Sequence, residues 1–303
     1  MHDDSKQYIK NLLDKQERIL PVPTGVPAVF SNHTGIKAVL FDIYGTLLIS
    51  ASGDIDQAEI SDKNLKQALD AANIKITSND KDVLNHILKD FEYTIRICHE
   101  ASKMNKIPYP EIDVLSIWKI VLIHARRKGL VFFNEDADIM LMTCVFEFLS
   151  NKVHPMPGLK ETIHALQKKE IPLGIVSNAQ FYTPVLMNYF LNDKITMKDR
   201  VKGFDRELSV FSYQFGKGKP DHTLYEELVP TLKWKYGIIP SEVLFVGNDM
   251  LKDIYASSKV GFKTALFAGD KRSLRMRPED DRTANLKPDH TITELQQVLH
   301  IVG

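Results

Sequence analysis

The sequence predicts an α/β protein: a parallel-sheet core interrupted by an all-helical block. Two observations carry this. Short, largely apolar runs at 38–41, 172–176, 243–246 and 263–268 alternate with helical stretches, as strands buried on both faces of a parallel sheet do. Between the first two runs, residues 55–152 offer only helical spacing of apolar positions. At about 100–200 residues per domain, the length allows one large domain or two modest ones. The chain has 303 residues, 44% hydrophobic and 26% charged, enough to bury a core without disulfide or metal staples.

In chain order, residues 1–35 read as a lead-in: a polar helix, then PVPTGVPAVFSNHTG, whose three prolines and two glycines suggest irregular chain. The run 38–41 is the first buried strand, ending at Asp42 with a breaking glycine at Gly45. Helices are expected at 65–72, 83–99, 111–127 and 135–151, separated by breaks at 78–80, 108–110 and 128–129. The domain division is therefore a lead-in at 1–35, a core at 36–52 and 153–303, and a helical insertion at 53–152. In the second core segment, Pro157-Gly158 opens an amphipathic helix. The strand at 172–176 stops at Ser177-Asn178, 225–236 is helical, and 243–246 stops at Gly247. A helix over 254–258, the strand at 263–268, residues 290–292 and a closing helix complete the chain. Right-handed crossovers put the carboxyl ends of all these strands on one edge, where such sheets bind ligands.

Composition excludes several classes. Lysine plus arginine and aspartate plus glutamate each number 39, so no net charge draws the chain to nucleic acid or an anionic membrane. Two cysteines, Cys98 and Cys144, make no disulfide framework. The opening MHDDSKQYIKN lacks a secretory pattern. The stretch 139–149 is too short for a membrane span and carries Glu147. A cytoplasmic protein without nucleic-acid or membrane partners is expected, with its oligomeric state open. No GxGxxG or GxxxxGK[ST] supports dinucleotide or P-loop binding.

Four segments at strand ends can carry chemistry: Asp42-Ile43-Tyr44-Gly45-Thr46, Ser177-Asn178, Lys219-Pro220 within GKGKPD, and GNDMLKD at 247–253. A carboxylate at Asp42 can act as a nucleophile, forming an ester or mixed anhydride that water cleaves. Asp249 and Asp253 are four apart and share a face if Asp249 opens a helix. With Asp42 they offer three carboxylates to a hard cation, and Mg²⁺ suits a site of few carboxylates, waters and a phosphate oxygen. Lys219 can neutralise phosphate charge, and the Ser177 hydroxyl can donate to a phosphate oxygen. Singly, each segment has a plainer reading: a turn residue, a helix N-cap, a solvated loop or a cap. Their joint occurrence, in order along one sheet edge, is far more specific.

Together, KAVLFDIYGTLL, PGLKETIHALQKKEIPLGIVSNAQ, SYQFGKGKPDHTLYEEL and EVLFVGNDMLKDIYASSKVGFKTALF resemble motifs one to four of the haloacid dehalogenase (HAD) superfamily, from about residue 37 to the C-terminus. The resemblance implies a Rossmann-like core, with the helical block as a cap between motifs one and two. It implies Asp42 as nucleophile and Ser177 and Lys219 holding a phosphoryl group, with Thr46 and Asn178 beside the substrate. Asp42, Asp249, Asp253 and the backbone carbonyl of Tyr44 would hold Mg²⁺. The implied activity is hydrolysis of a small phosphorylated metabolite through an aspartyl phosphate.

The sequence departs from that pattern twice. Family phosphatases carry Asp two positions after the nucleophile as general acid; here Tyr44 stands there, and a phenol is a much weaker acid. A D-x-Tyr-Gly-Thr start resembles the metal-independent 2-haloacid dehalogenase branch instead. In motif four, Asn248 fills one acidic place relative to Asp253, whereas a shorter register keeps Asp249 and Asp253; the shorter register is preferred here. The alternatives are thus a dehalogenase-type hydrolase, or a catalytically weakened protein that binds a ligand or partner. Arg96, Arg126 and Arg127 are the cap arginines that could receive halide or carboxylate, or be helix-surface charge. Lys271, Arg272, Arg275 and Arg277 form a basic cluster that a small acidic ligand could use, or a solvated loop. His33, His99, His124 and His154 make no metal pattern, and Phe181-Tyr182 could line the cleft or pack a helix start.

Overall fold

The computed structural model describes residues 3–33, 35–51 and 60–303. The boundary expected between residues 52 and 53 lies outside the described residues. The strands, in order, are β1 (Ala38–Phe41), β2 (Leu48–Ser50), β3 (Lys75–Ile76), β4 (Val131–Phe132), β5 (Val153–Pro155), β6 (Leu173–Ser177), β7 (Ser209–Phe211), β8 (Val243–Gly247), β9 (Lys263–Phe267) and β10 (His290–Ile292). Six form one sheet in the order β10-β9-β8-β1-β6-β7, and all five neighbouring pairs are parallel.

The apolar character of β1 follows from its place at the centre. Val39 and Phe41 pack into the cluster on one face, Ala38 and Leu40 into the cluster on the other. Side chains alternate across a strand, so a strand covered on both faces must be apolar at every position. Phe41 lies opposite Ile175 of β6 and Val246 of β8. That register brings Asp42, Ser177 and Gly247 out at the same sheet edge.

Among the described residues, four helices lie between β2 and β5: α2 (Asp62–Ala71), α3 (Val83–Met104), α4 (Val114–Arg127) and α5 (Ile139–Ser150), following an N-terminal α1 (Asp3–Asp14). Their starts are set by capping side chains. Ser61, Asp113 and Asp138 accept from backbone N–H groups at the heads of α2, α4 and α5, satisfying donors a helix leaves orphaned. These caps explain why α4 and α5 begin three or four residues later than apolar spacing alone implies. Phe91 stacks on Trp118 with centroids 4.2 Å apart, and Phe146 meets Trp118 edge-on at 4.9 Å. Among the described residues, the block's one strand pairing is the two-residue antiparallel ladder of β3 with β4.

A second antiparallel pair, β2 with β5, ties together the two chain crossings into the helical block. These short ladders, and the edge strand β7, lack a readable apolar pattern. The helix expected over 225–236 is divided into Thr223–Glu226 and Val229–Tyr236, with Pro230 in the first turn of the second, since proline tolerates only a first-turn position. The lead-in packs closely. Ile9 and Leu13 join the main core, Ser5 donates to Asp138, and Val29 pairs with Thr291 of β10. No helix among the described residues is long and apolar enough to cross a membrane.

Candidate active site

The loop after β1 carries Asp42, buried against the sheet edge. Its Oδ1 accepts from Ser177 Oγ at 3.0 Å and from Lys219 Nζ at 2.6 Å. The same ammonium lies 2.5 Å from Asp253 Oδ1. All three charged groups are buried, so each depends on the others for the solvation that water no longer supplies. Burial alone would lower the Lys219 ammonium, but the charges of Asp253 and Asp42 overcome it and hold it above the usual lysine range. Burial pushes the Asp253 carboxyl up against the pull of Lys219, and the Asp42 and Asp249 charges push it further.

The other oxygen of Asp42 is freer. Thr46 Oγ1 lies 3.4 Å from Asp42 Oδ2 but 3.0 Å from Asn248 Oδ1. A hydroxyl has one proton, and the shorter contact takes it. Asp42 Oδ2 thus keeps its lone pairs for the adjoining cavity. That cavity has a volume of about 550 Å³ and is lined by core loops and the helical block together.

Two glycines let the loops approach. Gly45 has φ +87°, and a Cβ there would lie 2.6 Å from Asn248 Nδ2. A Cβ on Gly247 would lie 2.4 Å from Asp253 Cγ. Asn178 clamps the lysine loop: its Oδ1 accepts from Lys219 N at 2.7 Å and its Nδ2 donates to Lys219 O at 3.3 Å. Residues 109–111 of the helical block bond to the same loop, through Gly218 N to Tyr109 O and Glu111 N to Gly216 O.

The structure brings Asp42, Ser177, Lys219, Thr46 and Asp253 together, as the sequence suggested. Asp249 departs from the expected arrangement. Its Oδ1 accepts from the backbone of Leu251 and Lys252, and its Oδ2 lies 2.8 Å from Arg277 Nη2. Asn248, the other candidate in that motif, is the residue that faces Thr46 beside Asp42. The cause is the turn at 249–255, where Asp249 serves as N-cap and is spent on its own backbone. Arg277, read as one of a basic loop cluster, is the counter-ion that sequence reasoning missed; Arg272 likewise pairs with Asp270.

Among the described residues no three acidic, histidine or cysteine side chains converge as a metal-holding group. The three-acid set is therefore not assembled. What remains is two carboxylates, Asp42 and Asp253, sharing one cation, with the Tyr44 backbone nearby. That set fits Mg²⁺ in its sparsest form, in which one or two carboxylates are completed by waters and phosphate oxygens.

The Tyr44 hydroxyl is within 2.9 Å of Thr183 Oγ1. Burial raises its pKa above the ordinary phenol value against the opposing Thr183 hydrogen bond, and the nearby charges of Glu147 and Asp42 add to the rise. Glu147 of α5 lines the same cavity and accepts from Tyr182 Oη at 3.1 Å. Burial pushes its carboxyl up to about 7, with the Tyr182 bond opposing. Its only sequence signal was a lone charge in an apolar helix. Arg96, Arg126 and Arg127 are exposed and do not line the cavity; Arg96 lies over Tyr93 and Arg126 over Phe133. Of the other candidates, His99 and Tyr182 line it, whereas His33, His124, His154 and Phe181 do not.

Known proteins resemble this chain in part or throughout. A curated ribulose-1,5-bisphosphate 5-phosphatase from Halopiger xanaduensis is 25% identical over 148 residues, 49% of this chain and 56% of that one. The match thus spans little more than half of that relative. A solved 2-haloacid dehalogenase from Pseudomonas syringae pv. Tomato DC3000 shares the fold at 22% identity and a TM-score of 0.52, covering 87% of this chain and 96% of that one. A solved HAD phosphatase from Thermococcus onnurineus is 17% identical, with a TM-score of 0.45, 88% of this chain and 98% of that one being covered. The family model for haloacid dehalogenase-like hydrolases matches residues 36–261, and with the parallel sheet and the loops converging on Asp42 this chain belongs to that family of hydrolases.

Proposed function

We propose that this hydrolase is a phosphatase of small phosphorylated metabolites that works through a phosphoaspartyl intermediate on Asp42. The observation that carries the reading is the asymmetry of the Asp42 carboxylate on the cavity wall: one oxygen fixed by Ser177 and Lys219, the other left with only the long Thr46 contact. A fixed carboxylate with one free oxygen is positioned for in-line attack. Oδ2 forms a bond to phosphorus as the bond from phosphorus to the organic oxygen breaks, and the departing oxygen takes a proton from solvent water. Water then attacks phosphorus, the bond to Asp42 breaks, and inorganic phosphate leaves. Lys219 keeps the paired carboxylates from repelling the incoming anion.

Asp42, Asp253 and the Tyr44 carbonyl are the groups that would hold Mg²⁺, which would screen the phosphate charge when bound. The helical block would act as a cap that excludes water and selects the substrate. The phosphatase name of the Halopiger relative supports the choice of substrate class.

A second reading has its own observations: Tyr44 stands where an acid is expected, Asn248 bonds to Thr46 beside Asp42, and Asp249 is paired with Arg277. These favour displacement of a leaving group that needs neither proton nor metal, such as halide. A phosphate-ester and 2-haloacid panel, with Mg²⁺ and with EDTA, separates the two. Phosphate release that needs Mg²⁺ is expected, and Asp42→Asn should abolish it while leaving the circular dichroism spectrum unchanged. Halide release in EDTA without phosphate release selects the second reading. Turnover in neither arm, with a ligand still raising the melting temperature, rejects both.

A further inference from the structure

Glu147 is the only charged residue of α5. It sits among Phe146, Phe91 and Tyr182 on the cavity wall contributed largely by the helical block. Its carboxylate has one hydrogen-bond partner among the described residues, Tyr182, and no ion-pair partner. A carboxylate held in an apolar wall is costly unless a cation or donors meet it. The phosphate chemistry at Asp42 makes no use of it. Glu111, the block's other carboxylate in the cavity, is already bonded to Ser212 and Gln180.

The cationic side chains of the cavity all lie on one side, where the core loops also contribute Asp42, Asp249 and Asp253. Lys219, Lys252 and Arg275 come from the core loops around Asp42 and Asp253. Among the described residues, the wall from the block offers two carboxylates, aromatic rings and His99, and none of its arginines. Aromatic rings beside a carboxylate suit an organic cation, which gains both charge pairing and attraction to the ring faces. A carboxylate-bearing ligand would instead face like charge there.

We propose that Glu147 reads the organic half of the substrate, and that this half ends in an ammonium group: the substrate is the phosphate monoester of an amino alcohol. The assignment rests on the phosphatase reading above and extends it to the substrate class. The phosphate lies against Asp42 and Lys219, the carbon chain runs along Phe91 and Phe146, and the amine reaches the free oxygen of Glu147.

The test uses matched alkyl phosphates of two to six carbons, ending in an amine, a hydroxyl or a carboxylate. Turnover is measured on the wild-type chain and on Glu147→Gln, and binding is measured by calorimetry on Asp42→Asn and on the Asp42→Asn, Glu147→Gln double variant. The amine series should be preferred over the hydroxyl series by about tenfold or more at its best length, as expected for a charge-assisted contact. Glu147→Gln should bring the two series to near parity, through KM rather than kcat, while unfolding as cooperatively as the wild type. Equal use of amine and hydroxyl by the wild type overturns the assignment, as does a preference that survives Glu147→Gln. If no ester turns over, the phosphatase reading fails on its own. The calorimetric comparison still decides for or against Glu147 as the ammonium site.

Discussion

At the scale of single residues, the site is governed by which proton goes where. Thr46 spends its proton on Asn248, and so Asp42 keeps an open oxygen. Tyr44 keeps its own proton, because its buried phenol is raised above the ordinary range. Restoring a carboxyl with Tyr44→Asp should therefore speed hydrolysis of alkyl phosphates about tenfold or more, within the span of general-acid catalysis. Nitrophenyl phosphate, whose leaving group needs no proton, should change little; equal effects on both would contradict the role given to position 44. Glu147 makes a separate prediction. Its carboxyl stands near 7 in the fold against 4.5 for an unperturbed one. Between those values the folded chain holds a proton that the unfolded chain has released. Stability contributed by this group thus falls as pH rises from 4.5 towards 7, by roughly 1–3 kcal/mol. Urea unfolding of Glu147→Gln across that window should show a correspondingly flatter profile, and an unchanged slope would reject the shift. Asp42, Ser177, Lys219 and Asp253 were legible in the sequence because each terminates or follows a strand with a motif-like neighbour. The placement of Asp249 was not legible, because spacing shows which residues share a face, not whether a side chain also caps its own turn.

At the scale of elements, the strands were legible and the ladders were not. The strand β1 is read at sight because both its faces are covered, so every residue is apolar. The strands β3 and β4 are two residues long and make no period. Helix bodies followed apolar spacing, but their starts follow the caps Ser61, Asp113 and Asp138. The junction of β8 with its following turn carries the sharpest prediction. Gly247 leaves room for the Asp253 carboxylate that holds Lys219. Gly247→Ala would drive a methyl into that carboxylate and break a buried ion pair, at a cost of roughly 3 kcal/mol. Chemical denaturation measures this directly, and a neutral substitution would show that Asp253 can shift without loss.

At the scale of the whole molecule, function depends on two bodies of sequence meeting over one sheet edge. The core supplies the charged loops, while residues 109–114 of the helical block bond to the loops at 178–180 and 212–218. That meeting was implied only by family resemblance, since no local pattern reports which helix face closes on which loop. With two carboxylates rather than three near Lys219, Mg²⁺ should need phosphate oxygens to complete its shell. Mg²⁺ alone should move the melting temperature little, and Mg²⁺ with a phosphate mimic should move it by several degrees. A full shift from Mg²⁺ alone would mean that Asp249 turns from Arg277 to join the metal. The most direct test of the central claim is rapid acid quench during turnover of a phosphate ester, followed by peptide mass spectrometry. A hydroxylamine-labile phosphoryl group is expected on the peptide containing Asp42, absent from Asp42→Asn. A phosphoryl group on another residue, or wild-type turnover by Asp42→Asn, would contradict it.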